Sequence, residues 1–432
     1  MSFQSIRGTF DVLPDSHSSG GARVPAAHEW RWVEDTVRGV LERFAFQEIR
    51  TPILEPLDLI ARGIGAETDI VSKEMFVVER TKERYVLRPE VTAPAMRAFL
   101  QHSLAQRGGA QRLYYLGPCF RAERPQKGRF RQFHQVGTEL LGSDDPRADA
   151  ETILAMRALY VAFGITDTRL RINTLGDAAD RPAYRQALRD YFAPHRDALS
   201  ETSLRRLDAN PLRILDTKNP DERALLTDAP RLLDFVGNAA RDNYAEVKAL
   251  LGAAGVPYHE DPTLVRGMDY YTRTVFELEH GALGAQGALA AGGRYDGLAQ
   301  DVGARQPVPA VGFAAGIERL FIALDAEGIA APVAPSPDAW IVALGDAAEA
   351  RAFSLAQELR AAGLVVGYTL GGRSLKAQMK GADRSGATRA IILGESELAT
   401  NKATLRGLGS GIQQLVQQVS LADRLLALRN EG

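Results

Sequence analysis

The residues most able to do chemistry lie in one stretch, Leu113 to Leu141, LYYLGPCFRAERPQKGRFRQFHQVGTELL. Residues 121–131 carry five Arg or Lys against one Glu. Two extended runs, Leu113–Glu123 and Arg131–Leu141, flank a polar Arg124–Phe130 holding a proline, a glycine and three cations, the pattern of a long antiparallel hairpin. Alternation along a strand then aims Arg131, Phe133, Gln135, Gly137 and Glu139 one way. A cation, a ring, an amide and a carboxylate stand where a structural strand would carry Val or Ile. Such a face offers charge, stacking and hydrogen bonding to a polar ligand; taken alone, it is equally a solvated outer surface.

Other stretches carry similar chemistry. Arg88-Pro89-Glu90-Val91-Thr92 leads into a helix over Ala93–Gln101, where capping would by itself explain Glu90 and Thr92. LVRGMDYYTRTVFELEH reads as a strand with Arg266 and Tyr270 on one face and Tyr271 on the other, Gly267 permitting a bulge. GALAAGGRYDGL continues the strand pattern and sets paired glycines before Arg294-Tyr295-Asp296, where a plain glycine turn is the alternative. AVGFAAGIERLFIAL passes at Gly316 from strand to helix and puts Arg319 in the first turn. A cation there is unfavourable by about 0.3–1 kcal/mol, so an anion or another function accounts for it better than helix stability does.

The elements that must position these groups can be read from periodicity. Trp30, Val33, Val37, Val40, Leu41 and Phe44 recur at helical spacing over 25–44. FQEIRTPILEP follows as an extended segment whose prolines, Pro52 and Pro56, suit an edge or an interface. Ala148–Phe163 is a helix and 170–175 a strand, after which residues 176–262 turn helix-rich and charged, as an inserted module would. Residues 329–337, IAAPVAPSP, form a proline-rich linker. Beyond it, residues 338–432 alternate strands and helices as a compact α/β domain. There Arg373, Lys376, Lys380 and Arg384 fall on one helix side, a stripe that in isolation is more often solvated surface.

A chain of 432 residues needs two or three domains, and 45% hydrophobic with 25% charged residues is a globular composition. The sequence has no apolar run near 18 residues and no secretory leader, so a cytoplasmic protein, or one of an organelle matrix, is expected, with no membrane partner. Cys119 is the one cysteine, which excludes an internal disulfide and a multi-cysteine zinc site and fits a buried small hydrophobe. With a net charge of −2, a nucleic-acid partner must be held by local basic patches. No Walker-type phosphate loop is present.

Taken in order, these stretches resemble the histidyl-tRNA synthetase family of class II aminoacyl-tRNA synthetases over nearly the whole chain. TPILEP is similar to the dimer-interface motif 1, FRAERPQKGRFRQFHQVGTE to motif 2, and GFAAGIERL to motif 3. LVRGMDYY and AGGRYDGL resemble the two histidine-specific signatures. The resemblance implies an α+β fold: a class II antiparallel-sheet catalytic domain flanked by helices (1–328), a helical insertion within it (176–262) and a C-terminal α/β anticodon-binding domain (338–432).

It also implies activation of L-histidine by ATP, carried with Mg2+, to histidyl-adenylate, and transfer to the 3′ end of tRNA(His) by a homodimer holding no structural metal. By the same resemblance Arg121 grips the α-phosphate and the substrate carboxylate, Arg319 the γ-phosphate, and Arg266 supports the α-phosphate. Guanidinium groups suit this because they stay charged and bind phosphate in a fork. Glu123 and Arg131 fall near adenine and phosphates, and Phe133 stacks on adenine. Glu139, Tyr271 and Tyr295 match the imidazole readers; Glu90, Thr92 and Gln135 match groups near the α-amino end. Arg124, Gln126, Lys127 and Arg129 are placed to meet the tRNA acceptor end.

One departure is Val91, where the family carries glycine; valine resists φ > 0, so a backbone using that conformation would have to rearrange. Two other readings are weighed: a non-catalytic synthetase-like regulatory subunit of ATP phosphoribosyltransferase, and a pure RNA-binding module. The first typically lacks the C-terminal domain and parts of the catalytic motifs. The second leaves the adenylate-forming residues without a use.

Overall fold

The computed structural model describes residues 3–430 apart from 20, 66, 67, 69, 81, 82, 127 and 218, with 285 and 286 described by backbone only. The chain divides into two compact units, 1–332 and 333–432, with the boundary inside the proline-rich segment. Among the described residues, the main sheet of the first unit has eight strands: β1 (Gln47–Glu48), β2 (Gln111–Phe120), β3 (Gln132–Leu141), β4 (Thr168–Thr174), β5 (His259–Glu260), β6 (Thr272–His280), β7 (Ala288–Arg294) and β8 (Ala310–Gly316). Their spatial order is β5-β4-β6-β7-β8-β3-β2-β1. Only the two short outer strands pair in parallel.

Alternation gives the sheet two unlike faces. Val136, Leu140, Val311, Ala315, Ile172 and Phe276 join one apolar core. That core is closed by helix α1 (Ala27–Arg43), which buries Trp30, Val33, Val37, Val40 and Leu41. Each fully buried Val or Leu of this kind contributes roughly 1.5–3 kcal/mol. On the opposite face Ala291, Gly293, Gly312, Ala314 and Gly316 follow one another across β7 and β8, and the register sets Gln135 against Gly117 and Gly316, and Glu139 against Gly312. Small residues on that side leave a trough in which β3 displays its polar groups.

Helices α2 (Thr92–Gln101), α3 (Pro146–Ala162) and α6 (Ile317–Ala326) flank the sheet. The start of α3 is fixed locally: Asp145 Oδ1 accepts the Arg147 amide at 2.8 Å, and Pro146 takes the first helical position. Residues 176–262 are helical but divide by packing. Helix α4 (Arg181–Phe192) shares a second core with Tyr270, Tyr271 and Tyr295, whereas α5 (Asn238–Ala253) packs Tyr244, Val247 and Leu251 into the main core.

One sequence expectation is corrected and two open alternatives are resolved. Residues 264–271 are not strand; they are coil and turns, and β6 starts at Thr272, so Tyr270 and Tyr271 do not alternate across a sheet. The glycine pair is not a turn but the middle of β7, where a Cβ on Gly292 would lie 2.2 Å from the Gly312 carbonyl and one on Gly293 2.7 Å from that of Thr274. Val91 takes φ −119°, which valine adopts freely, so no rearrangement follows from the missing glycine.

The second unit carries a five-stranded sheet among the described residues: β9 (Ala339–Ala343), β10 (Val366–Tyr368), β11 (Arg389–Leu393), β12 (Lys402–Gly407) and β13 (Gln413–Gln417). Its order is β10-β9-β11-β12-β13, and the last two strands add in antiparallel fashion, a hairpin the alternating pattern had not disclosed. Helix α7 (Leu375–Arg384) exposes Lys376, Lys380 and Arg384, with Arg373 exposed just before it.

Candidate active site

The trough opens into a cleft of about 330 Å³ whose lining includes Glu90, Thr92, Arg121, Glu123, Arg129, Phe133, Gln135, Arg266, Tyr270, Tyr271, Tyr295 and Arg319. Residues from five separated stretches of sequence thus meet in one place.

Its inner end is built around Glu139, which is fully buried. Thr92 Oγ1 donates to Glu139 Oε1 at 2.7 Å, and the Tyr295 hydroxyl donates to Oε2. Burial pushes the Glu139 carboxyl up to about 8; the bonds from Tyr295 and Thr92 oppose that rise and the charge of Glu90 adds to it. Gly312 is needed here because a Cβ would stand 2.0 Å from Glu139 Oε2. Glu90 both caps and lines: its two oxygens accept the amides of Thr92 and Ala93 at 2.7 and 2.9 Å, holding the start of α2 under the cleft. Burial again raises its carboxyl. Gln135 Oε1 accepts the Cys119 thiol at 3.4 Å, and burial pushes that thiol up to about 12, so Cys119 is an inert packing group.

The outer end is cationic. Arg121 lies over the Phe133 ring, 5.2 Å from its centroid, and its Nε donates to the Pro89 carbonyl at 3.0 Å. Glu123 is held by Arg129 at 2.7 Å and stands 3.8 Å from Arg121. Arg319 donates to the Ala288 carbonyl at 2.7 Å and, more loosely, to that of Gly128 at 3.4 Å. Burial and then the charges of Arg129 and Arg121 lower the pKa of Arg319, a concentration of like charge that an anion would relieve. Arg266 donates to Glu277 Oε2 at 2.8 Å and sits 5.7 Å from the Tyr271 ring centroid.

Not every expected residue reaches the cleft. Arg131 begins the turn before β3, its amide donating to the Gly8 carbonyl at 2.7 Å and its Nε to that of Glu123 at 3.3 Å, and it is not in the lining. Gln126 lines a neighbouring cavity beneath the N-terminal segment. Lys127 falls outside the described residues. Among the described residues no group of three or more His, Cys, Asp or Glu could hold a metal ion. No helix among them is long and apolar enough to cross a membrane.

A sequence model described as histidyl-tRNA synthetase matches residues 23–320, and one described as an anticodon binding domain matches 338–428. The chain belongs to the histidyl-tRNA synthetase family. It is 47% identical to a histidine–tRNA ligase of Chloroherpeton thalassium over 98% of this chain and 96% of that one, and 48% identical to that of Aromatoleum aromaticum over 97% and 94%. It superposes on an apo histidyl-tRNA synthetase of S. aureus with a TM-score of 0.81 at 34% identity, covering 98% of this chain and all of that one. A Bacillus halodurans protein titled ATP phosphoribosyltransferase regulatory subunit/histidyl-tRNA synthetase shares the fold at 23% identity and a TM-score of 0.62.

Within this histidyl-tRNA synthetase fold, some site residues escaped the sequence reading. Tyr270 lines the cleft beside Tyr271, their centroids 4.6 Å apart. Glu318 also lines it, and its Oε1 lies 2.9 Å from the His134 amide and 3.0 Å from His134 Nδ1. Its adjacency to Arg319 at a helix start was the available signal. Arg294 is fully buried between strand and helix, paired with Asp149 and 3.2 Å from Asp296, which fixes the backbone that presents Tyr295.

Proposed function

We propose that this chain is a histidine–tRNA ligase that activates L-histidine with ATP and transfers it to tRNA(His). The observation that carries the reading is the cleft itself. Its inner end offers the hydroxyl groups of Tyr271 and Tyr295 in front of the buried Glu139 carboxyl, and its outer end offers the arginines Arg121, Arg266 and Arg319. An imidazole fits the first set and a triphosphate the second.

ATP enters as its magnesium complex, as substrate. The histidine carboxylate attacks the α-phosphorus, a new O–P bond forms, and the bond to the β-phosphate oxygen breaks, so pyrophosphate leaves with its charge. Arg121 and Arg266 neutralise the α-phosphate and the carboxylate as they meet, and Arg319 holds the γ-phosphate. Phe133 stacks on adenine, and Glu123, steadied by Arg129, faces its edge, while Arg131 shapes the turn that carries Glu123. Because charge rather than a proton is redistributed, positioned guanidinium groups supply most of the catalysis. A terminal ribose hydroxyl of tRNA then attacks the acyl carbon and AMP leaves.

Glu90, Thr92 and Gln135 hold the α-amino end, and Glu139, Tyr271 and Tyr295 read the ring. A buried site built to satisfy both ring nitrogens rejects amino acids lacking them by roughly 10⁴ or more. Arg124, Gln126 and Arg129 in the hairpin loop meet the acceptor end of the tRNA, with Lys127 between them. The stripe Arg373, Lys376, Lys380 and Arg384 contributes phosphate contacts near the anticodon. The enzyme acts in the cytoplasm as a homodimer.

The deciding experiment is amino-acid-dependent ATP–pyrophosphate exchange with all twenty amino acids, for wild type and Arg266→Ala. Exchange with histidine alone, lost in the variant, is the expected result. Histidine binding without exchange would favour the regulatory-subunit reading instead.

A further inference from the structure

Arg181 opens helix α4 at its first position, where the dipole disfavours a cation, and no acidic residue shares that first turn. Burial, and next the charge of Arg185, lowers its pKa further. A side chain placed against local preference on both counts serves a contact elsewhere. That contact is the Tyr271 carbonyl, to which Arg181 Nη2 donates.

The surroundings make this bond a link between two bodies. The loop carrying Arg266, Tyr270 and Tyr271 lies between a turn at Pro262–Thr263 and strand β6. Asn210 donates to Asp269 Oδ1 at 3.3 Å. Arg273, two residues past Tyr271, takes φ +43° and is held there by Asp177 through its Nε at 2.7 Å and by the Gly176 carbonyl at 2.8 Å. A non-glycine residue in that region persists only where its surroundings impose it. Every one of these anchors comes from residues 176–210. The tyrosines are moreover part of the same apolar core as Tyr184, Leu188 and Phe192 of α4.

We propose that Arg181 is a positioning residue for Tyr271, through which the packing of the helical segment sets how tightly the site holds histidine. The inference rests on the histidine–tRNA ligase reading. Arg181 touches neither substrate. It fixes the backbone at Tyr271, so that the hydroxyl of that residue meets the imidazole, and it ties this geometry to α4.

The test measures exchange kinetics for wild type, Arg181→Ala, Arg181→Lys, Tyr271→Phe and the double variant Arg181→Ala/Tyr271→Phe, with a thermal melt of each. Histidine-dependent exchange by wild type checks the reading itself, separately from the proposal. Arg181→Ala is expected to raise KM for histidine about tenfold with KM for ATP unchanged, and Arg181→Lys, which keeps a donor, to recover much of the loss. In the Tyr271→Phe background, removal of Arg181 is expected to add little, because both changes act through one hydroxyl. An unchanged KM for histidine, equal increases for histidine and ATP, or full additivity in the double variant would overturn the proposal. Should Arg181→Ala fail to give a cooperative melt, Arg181→Lys and its double variant with Tyr271→Phe decide the matter by the same criteria.

Discussion

Arg266 Nη1 donates to Glu277 Oε2 at 2.8 Å, and Glu277 is in turn 3.3 Å from Arg171. The guanidinium proposed to meet the α-phosphate is therefore aimed by a carboxylate on β6. Burial alone would lower the Arg266 pKa, and Tyr271 and Glu277 more than compensate. Arg266→Ala is expected to reduce pyrophosphate exchange by about a hundredfold or more while histidine binding, measured by calorimetry, changes far less. Glu277→Gln keeps the shape and loses the charge, and about a tenfold fall in kcat is expected. Equal loss of binding and turnover in Arg266→Ala would show that the residue serves ground-state binding.

Burial raises the Glu139 carboxyl to about 8, which favours its protonated form near neutral pH. Free imidazole titrates near about 6.5. On the proposal that the ring and the carboxyl share one proton in the complex, kcat/KM for histidine is expected to fall on both sides of the interval between these values. Glu139→Gln should abolish the alkaline limb as well as raising KM. The stability sign is set by the same shift. A carboxyl raised from 4.5 to about 8 contributes stability that is complete below 4.5, fades as pH rises, and is gone above about 8. Urea melts of wild type should lose stability over that window, and those of Glu139→Gln should lose less.

Arg294 and Asp149 form an ion pair with no exposed side-chain surface. Removing Asp149 leaves the Arg294 guanidinium buried with Asp296, at 3.2 Å, as its remaining carboxylate partner. Asp149→Ala is expected to cost about 3–5 kcal/mol in urea denaturation. The paired replacement Asp149→Leu/Arg294→Met should recover most of that loss, which a simple packing defect would not allow.

Ile53 and Leu54 are 43% and 50% exposed on an edge segment whose strand, Leu54–Pro56, pairs on one side with Glu83–Leu87. Apolar side chains left open at a sheet edge fit a two-fold contact between copies. Sedimentation of wild type should give a dimer, and Leu54→Asp should shift it toward the 47.0 kDa species. A wild type that sediments only as the smaller species would remove motif 1 from the interface.

Glu90 illustrates how much of the site could be read early and how much could not. Capping and ligand contact were alternatives in the sequence, yet the carboxylate caps α2 and lines the cleft at once. Periodicity could not reveal this, because it follows from where α2 lies relative to β3. The placement of Tyr271 failed for a related reason. A period of two holds only for backbone that is paired, and residues 264–271 give their hydrogen-bonding groups to turns and to neighbours such as Ile64.

The set of groups, and the local order that displays them, follow from residue types and spacing. Phe133, Gln135, Gly137 and Glu139 share a face because strand geometry leaves no alternative, and Arg319 stands out by sitting at a helix start that disfavours a cation. The tertiary structure alone decided which groups meet: Glu139 with Thr92 and Tyr295, Arg266 with Glu277, Arg181 with the Tyr271 carbonyl. Those pairs span up to 156 positions in the chain. Their geometry, and with it the raised carboxyl of Glu139, is set by burial and by long-range register, quantities that exist only once the sheet has formed.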